Sequence, residues 1–225
     1  MDGYQLVDKP EGISSFGAVA RVRRTVSEAV GRKVKVGHTG TLDPAATGLL
    51  ILVLGSYTKR AGEFSKLDKV YEAELTLGAV STTADREGDI VRKSVHRPSL
   101  TDINNALNKF VGEITQTPPA YSAIKVGGQR AYKLARAGKQ VKMEPRKATI
   151  LSLDSVDYKY PKLKFTVHVS SGTYIRSLAE DIGHKLKTGA YLSNLRRTKV
   201  GKFGIAGALT LDNLDYETLT RTLKT

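Results

Sequence analysis

Three stretches predict an α+β fold. Val70 to Gly78 alternates, with Tyr71, Ala73, Leu75 and Leu77 on one face and Glu72, Glu74 and Thr76 on the other; Leu163 to Val169 alternates through Leu163, Phe165, Val167 and Val169. Period-two patterns of this kind mark strands with one face in the core and one in water. Leu49 to Leu54 is instead the most apolar run in the chain, short enough for a buried strand. Helical patterns separate these strands, and 225 residues suit a single domain, 1–225, with a real core and at most an insertion.

Taken in order, Gln5 to Val7 reads as a short strand ending in the turn Asp8 to Gly12. Ser14 or Ser15 can cap a helix whose Phe16, Val19, Val22 and Val26 recur at helical spacing, with Arg21, Arg23 and Arg24 around that stripe. The basic run Arg32 to Lys35 leads to VGHTGTLDPAATGLLILVLG, Val36 to Gly55, which places Asp43 on a tight glycine-rich loop against the apolar strand. A polar loop fixed to a rigid scaffold is a usual place for a reacting group.

Beyond the first alternating strand, Ser81 to Gly88 is a polar loop whose acids do not have calcium-loop spacing. A helix follows from about Leu100 to Phe110, with Leu100, Ile103, Leu107 and Phe110 or Val111 inward. Between Thr117 and Lys147 the composition shifts: Lys125, Arg130, Lys133, Arg136, Lys139, Lys142, Arg146 and Lys147 stand against Glu144 alone, among glycines and prolines. That reads as a basic excursion of loops and a short helix, Arg130 to Arg136, facing phosphate. After the second alternating strand a helix opens at Tyr174, with Arg176 in its first turn, where a cation gains nothing from the helix dipole and calls for an anionic partner. Ala190 to Phe203 adds four more basic residues, and Leu209 to Leu223 reads as a strand or turn and a helix.

The formal charge of +14, from 36 Lys+Arg against 22 Asp+Glu, predicts a polyanionic partner. There is no cysteine, the four histidines lack metal-ligand spacing, and neither a phosphate loop nor a dinucleotide fingerprint occurs, so no metal and no cofactor are expected. Nothing resembles a signal peptide or a membrane span, which makes the cytoplasm the expected location.

GHTGTLDPAATGLL, Gly37 to Leu50, resembles the signature loop of the TruB-type tRNA pseudouridine synthases. DKPEGISS (Asp8 to Ser15), KVYEAELTLG (Lys69 to Gly78), TPPAYSAIKVGGQRAYKLARAG (Thr117 to Gly138), SSGTYIRSLAEDIG (Ser170 to Gly183) and LRRTKVGKF (Leu195 to Phe203) match in family order, so the resemblance spans essentially the whole chain. It implies the pseudouridine synthase fold: a largely antiparallel mixed sheet with flanking helices, into which the basic lobe 117–147 is inserted to close over an RNA stem-loop. It also implies that Asp43 is the catalytic aspartate, Tyr71 the active-site tyrosine and Arg176 the arginine paired with that aspartate. His38 falls on the histidine involved in prising out the target base, and Lys9 on the family's early lysine. The family's T-D-T-x-D-x-x-G is here Ser81 to Gly88 with Thr82 in place of the first acid, while Asp85 keeps the second.

The expected reaction is isomerisation of uridine to pseudouridine in the T-arm loop of tRNA, by a monomer without an obligatory protein partner. Lys9, His38, Asp85, Lys125, Arg130, Lys133, Arg136, Arg196, Arg197 and Lys199 are the expected RNA contacts. With 22 residues after Phe203, too few for the further small RNA-binding domain (of PUA type) that family members commonly carry, recognition is expected to rest on the catalytic domain. Two alternatives share the charge: a synthase subunit directed by a guide RNA, and a non-catalytic RNA-binding module, which has no need of Asp43, Tyr71 and Arg176 together.

Overall fold

The computed structural model describes residues 1–212 and 214–225. Two compact units emerge: Met1–Glu72 with Leu195–Thr225, and Ala73–Asn194. In the first, β1 (Gly3–Lys9) runs antiparallel to β3 (Thr47–Leu54), pairing Leu6 with Ile51, and β2 (Val36–His38) pairs with the other edge of β3. Leu49 to Leu54 are all buried because both faces of β3 are covered. Leu50, Leu52 and Leu54 face a cluster with Val19, Val22 and Val26, whereas Leu49, Ile51 and Val53 join Leu6, Phe64 and Val200. A strand enclosed on both sides has no reason to alternate, which is why this one reads as a continuous apolar run.

The helix α1 (Ser15–Ala29) begins where the Ser14 hydroxyl accepts from the Gly17 amide at 3.0 Å. Its buried stripe is Ser15, Ala18, Val19, Val22 and Val26. Phe16, expected on that stripe, points outward and is 64% exposed, since the stripe begins one residue earlier with the small Ser15. A 3-10 turn (Gly55–Arg60) and α2 (Ala61–Ser65) lead to β4 (Lys69–Leu77), which runs from the first unit into the second.

The second unit continues with the hairpin β5 (Ala79–Ser81) and β6 (Ile90–Arg92), then α3 (Leu100–Asn108), started by a reciprocal Ser99 and Asp102 capping box. Ile103, Ala106 and Leu107 are its buried face, and Leu100, expected inward, is exposed in the first turn. Then come β7 (Gly112–Gln116), β8 (Lys125–Val126), β9 (Gln129–Arg130), α4 (Ala131–Arg136), β10 (Arg146–Lys159), β11 (Lys162–Val169), α5 (Ile175–Lys185) and β12 (Ala190–Val200). Strand order in this unit is β12-β4-β11-β10-β7. β11 buries Leu163, Phe165, Val167 and Val169 as its alternation predicts, and it pairs antiparallel with β10, a long strand that has no clear periodicity in the sequence.

β12 carries the chain back into the first unit, where Arg196 and Arg197 pair in parallel with Thr47 and Gly48 of β3. β13 (Phe203–Gly204) folds back on β12, β14 (Leu209–Thr210) lies parallel to β1, and α6 (Tyr216–Thr222) is capped by Asp215. The order here is β14-β1-β3-β12. Strand pairs among the described residues of both units are mostly antiparallel.

Candidate active site

In the first unit, Asp43 sits on the loop between β2 and β3, half-buried, and the peptides on either side of it are held from three directions. The Ser15 hydroxyl accepts from the Leu42 amide at 2.7 Å and donates to the Leu42 carbonyl at 2.9 Å. On the other side, the Pro44 carbonyl accepts from the Gly12 amide at 2.9 Å and from Lys9 Nζ at 3.3 Å. Arg197 donates from Nε to the Leu49 carbonyl at 2.7 Å and from Nη2 to the Gly40 carbonyl at 3.1 Å, tying both ends of the loop to β12. Gly48, at φ +107°, permits this approach: a Cβ there would stand 2.3 Å from the Arg197 carbonyl oxygen.

These bonds change the reading of several cations. Lys9, expected to contact RNA, is fully buried, with Nζ donating to Pro10 at 2.7 Å and Ile13 at 2.8 Å as well as to Pro44. Arg197 is 2% exposed and engages carbonyls. Arg196 is held by Asp8 through two bonds of 2.7 and 3.2 Å. A buried cation must be matched by acceptors or it is not tolerated, and here the acceptors are loop carbonyls, so Lys9 and Arg197 brace the loop instead of meeting phosphate. Of that basic run, Lys199 and Lys202 are exposed.

His38 ends β2, opposite Leu52. Its Nδ1 is buried without a hydrogen-bond partner among the described residues, and burial, then the charge of Arg197, lowers its pKa below the ordinary 6.5. The ring is therefore a neutral imidazole at pH 7. Tyr71, on the inward face of β4, is 8% exposed, and its hydroxyl makes no hydrogen bond among the described residues. Sequence reasoning passed over two neighbours of this region. Ser15 looked like an alternative cap; Ser14 takes that role and leaves Ser15 for Leu42. Lys69, at the start of β4, is buried, donates to the Ser65 and Leu67 carbonyls, and has its pKa lowered to about 8, by desolvation first and the Arg197 charge second.

In the second unit, Arg176 occupies the first turn of α5 and is buried. Its Nη1 lies 3.5 Å from Asp85 Oδ2 and donates to the Thr83 carbonyl at 3.3 Å; Nη2 donates to the Tyr121 carbonyl at 2.7 Å. Asp85 is the anionic partner its helix position called for. Asp85 in turn accepts at Oδ1 from the Thr83 hydroxyl at 2.5 Å and from the Glu87 amide at 3.0 Å. With that carboxylate buried and pointed at Arg176, Asp85 orients the guanidinium and is not an RNA contact as expected. Thr82, where the family's acid was anticipated, accepts from the Asp89 amide at 3.0 Å and closes the same loop.

The basic lobe is anchored beside this cluster. Gln116 pairs with both backbone groups of Tyr174, at 2.8 and 3.0 Å, and Ser177 donates to the Thr117 carbonyl at 2.7 Å. Within it, Lys125 and Arg130 are opposite each other on β8 and β9, and Lys133 and Arg136 project from α4; all four are exposed. Among the described residues no group of side chains could hold a metal ion, and no helix is long and apolar enough to cross a membrane.

The sequence model of the TruB family pseudouridylate synthase N-terminal domain matches residues 25–175, and that of the tRNA pseudouridylate synthase B C-terminal domain matches 176–223. The chain belongs to the TruB family of pseudouridylate synthases. It is 44% identical to the tRNA pseudouridine synthase B of Clostridium kluyveri, covering 97% of this chain and 74% of that protein, and 46% identical to that of Cupriavidus metallidurans, covering 96% and 68%. Among solved structures, a Cbf5-Nop10-Gar1 complex contains a chain that superposes with a TM-score of 0.73 at 28% identity, and an archaeal box H/ACA sRNP Nop10-Cbf5 complex one with 0.69 at 26%. These cover 97% of this chain, which spans 55% of theirs. The TruB-type loop at Gly37 to Leu50 is the loop that Ser15, Lys9 and Arg197 brace.

Proposed function

We propose that this protein isomerises uridine 55 in the T-arm loop of tRNA to pseudouridine, acting alone and as a monomer in the cytoplasm. The observation that carries the reading is the bracing of Asp43: a half-exposed carboxylate between two peptides that are pinned by Ser15 on one side and Lys9 on the other. Membership of the TruB family and identities of 44–46% to enzymes named tRNA pseudouridine synthase B support the substrate.

The reaction breaks the N1–C1′ bond, turns the uracil and forms a C5–C1′ bond; the proton at C5 is lost and one is gained at N1. A preorganised ionised carboxylate can assist the cleavage without a cofactor, and that role falls to Asp43. The Tyr71 ring stacks on the extruded base with its hydroxyl toward the reacting edge. Arg176, oriented by Asp85, supplies the positive charge that favours the ionised aspartate. Reaction at C1′ and C5 requires the nucleotide out of its stack, at a cost of a few kcal/mol; the neutral ring of His38 fills the vacated space. Lys125, Arg130, Lys133 and Arg136 hold phosphates of the stem-loop.

The deciding experiment incubates the purified protein alone with an unmodified tRNA transcript and maps pseudouridine. A single product at position 55 is expected. No product without added guide RNA and proteins, or binding without product, overturns the reading.

A further inference from the structure

One side of α1 holds an exposed aromatic ring and, in line with it, two arginines that belong to a cluster of cations. Phe16, Ala20, Arg23, Arg24 and Ser27 recur at three- and four-residue spacing, which puts them on one side of the helix, next to the buried stripe of Ser15, Ala18, Val19, Val22 and Val26; Phe16 and Arg24 are exposed, and Ala20, Arg23 and Ser27 are half-buried. Phe16 is 64% exposed at one end. Toward the other end lies an open groove of about 760 Å³, lined by Arg21, Arg23, Arg24, Arg32 and Lys33 with Glu28 the one acid. Among the described residues none of these five cations is within ion-pair distance of a carboxylate. At 1.5 Å per residue, Phe16 and the Arg23–Arg24 pair are separated by about 11 to 12 Å along the axis.

The backbone at Phe16 is also held near that of Asp43. Ser15, bonded to Leu42 at 2.7 Å, adjoins Phe16, and Leu42 adjoins Asp43. Following that path through two Cα steps of 3.8 Å, the hydroxyl and its bond, the two Cα atoms are at most roughly 14 Å apart. A large apolar ring in water gains nothing for the fold, whereas a planar ring beside a nucleotide can stack on a base, and arginines in line with it can take the phosphates that follow.

We infer that this side of α1 is a second RNA-binding track, on which Phe16 stacks against a nucleotide flanking the target and Arg23 and Arg24 hold phosphates of the strand leading away from it. This rests on the proposed function for its substrate, and it extends recognition from the basic lobe to the first unit. It also assigns a role to Phe16, which no packing requirement explains.

The test measures dissociation constants of the full chain for an unmodified T-arm stem-loop over a range of salt, with turnover on whole tRNA as a separate readout. Phe16→Ala should weaken binding about tenfold, the factor that loss of one stacked base implies, while Phe16→Trp should bind like the parent. Replacing each neighbour of the target in turn by an abasic nucleotide should, at one position, abolish the effect of F16A. Arg23→Gln with Arg24→Gln should reduce the log–log salt slope by about 1.4 to 1.8, at roughly 0.7 to 0.9 per phosphate. Thermal melting of each variant checks the fold, which substitutions at the exposed Phe16 and Arg24 and the half-buried Arg23 should leave intact. F16A binding like the parent, an F16A penalty indifferent to every abasic position, or an unchanged salt slope each overturns the inference and leaves this face as solvated surface. Absence of pseudouridine from the parent protein would count against the proposed function instead, because binding and its salt slope decide the track whether or not turnover occurs.

Discussion

Ser15 grips both backbone groups of Leu42, accepting from its amide at 2.7 Å and donating to its carbonyl at 2.9 Å, with a single hydroxyl supplied by the first turn of a helix. Leu42 is buried, so neither group has water to turn to. Ser15→Ala should cost about 1 to 3 kcal/mol of stability, the penalty for stranding buried polar groups. With the neighbouring Asp43 no longer held, kcat should fall by about tenfold or more with a smaller change in KM. Chemical denaturation and steady-state kinetics on tRNA check the two effects. An S15A protein of lower stability but undiminished kcat would separate the brace from catalysis.

Asp43→Asn keeps the shape of the side chain and removes its charge. Turnover should drop below detection while the protein still folds and binds tRNA, because Asn keeps the size and hydrogen-bonding reach of the side chain and the backbones of Leu42 and Pro44 stay pinned. Pseudouridine mapping after prolonged incubation is the measurement, and substantial product would sink the assignment.

For Tyr71 the expected outcome is a split. The ring is buried and its hydroxyl has no partner among the described residues, so Tyr71→Phe should fold with unchanged stability and retain affinity for RNA. Most of kcat should be lost, since the hydroxyl is reserved for the reacting base. Equal rates for Y71F and the parent would reduce Tyr71 to packing.

Lys69 gives a pH dependence with a defined sign. Its native pKa of about 8 lies below the unfolded value of 10.5, so between those pH values the unfolded chain binds the proton and the native chain does not. Stability contributed by this group therefore rises as pH increases from about 8 to 10.5 and is at its lowest below that window. Lys69→Met should flatten this part of the profile. Urea denaturation of both proteins at several pH values reads the difference in slope; parallel profiles would contradict the shift.

The contrast between Lys9 and Lys133 shows how far the linear chain could be read. Both are lysines in polar, turn-rich surroundings, and nothing local distinguishes them. Lys133 is exposed on α4, as its basic neighbourhood predicts, whereas Lys9 ends inside the first unit because three carbonyls, one of them 35 residues away at Pro44, converge on its ammonium. Arg197 is misread for the same reason: its acceptors, Gly40 and Leu49, come from a strand and loop far away in sequence.

By itself the sequence determined the strands whose side chains alternate, the apolar β3, the basic lobe and the loop that presents Asp43, because periodicity, composition and short motifs are local properties. Tertiary structure alone decided that Phe16 faces water, that β10 forms a long strand beside β11, and that Asp85 forms an ion pair with Arg176. It also decided which cations are buried as braces of the fold and which are exposed. Burial of a charge depends on whether acceptors arrive from elsewhere in the chain, and no window along the sequence contains that information.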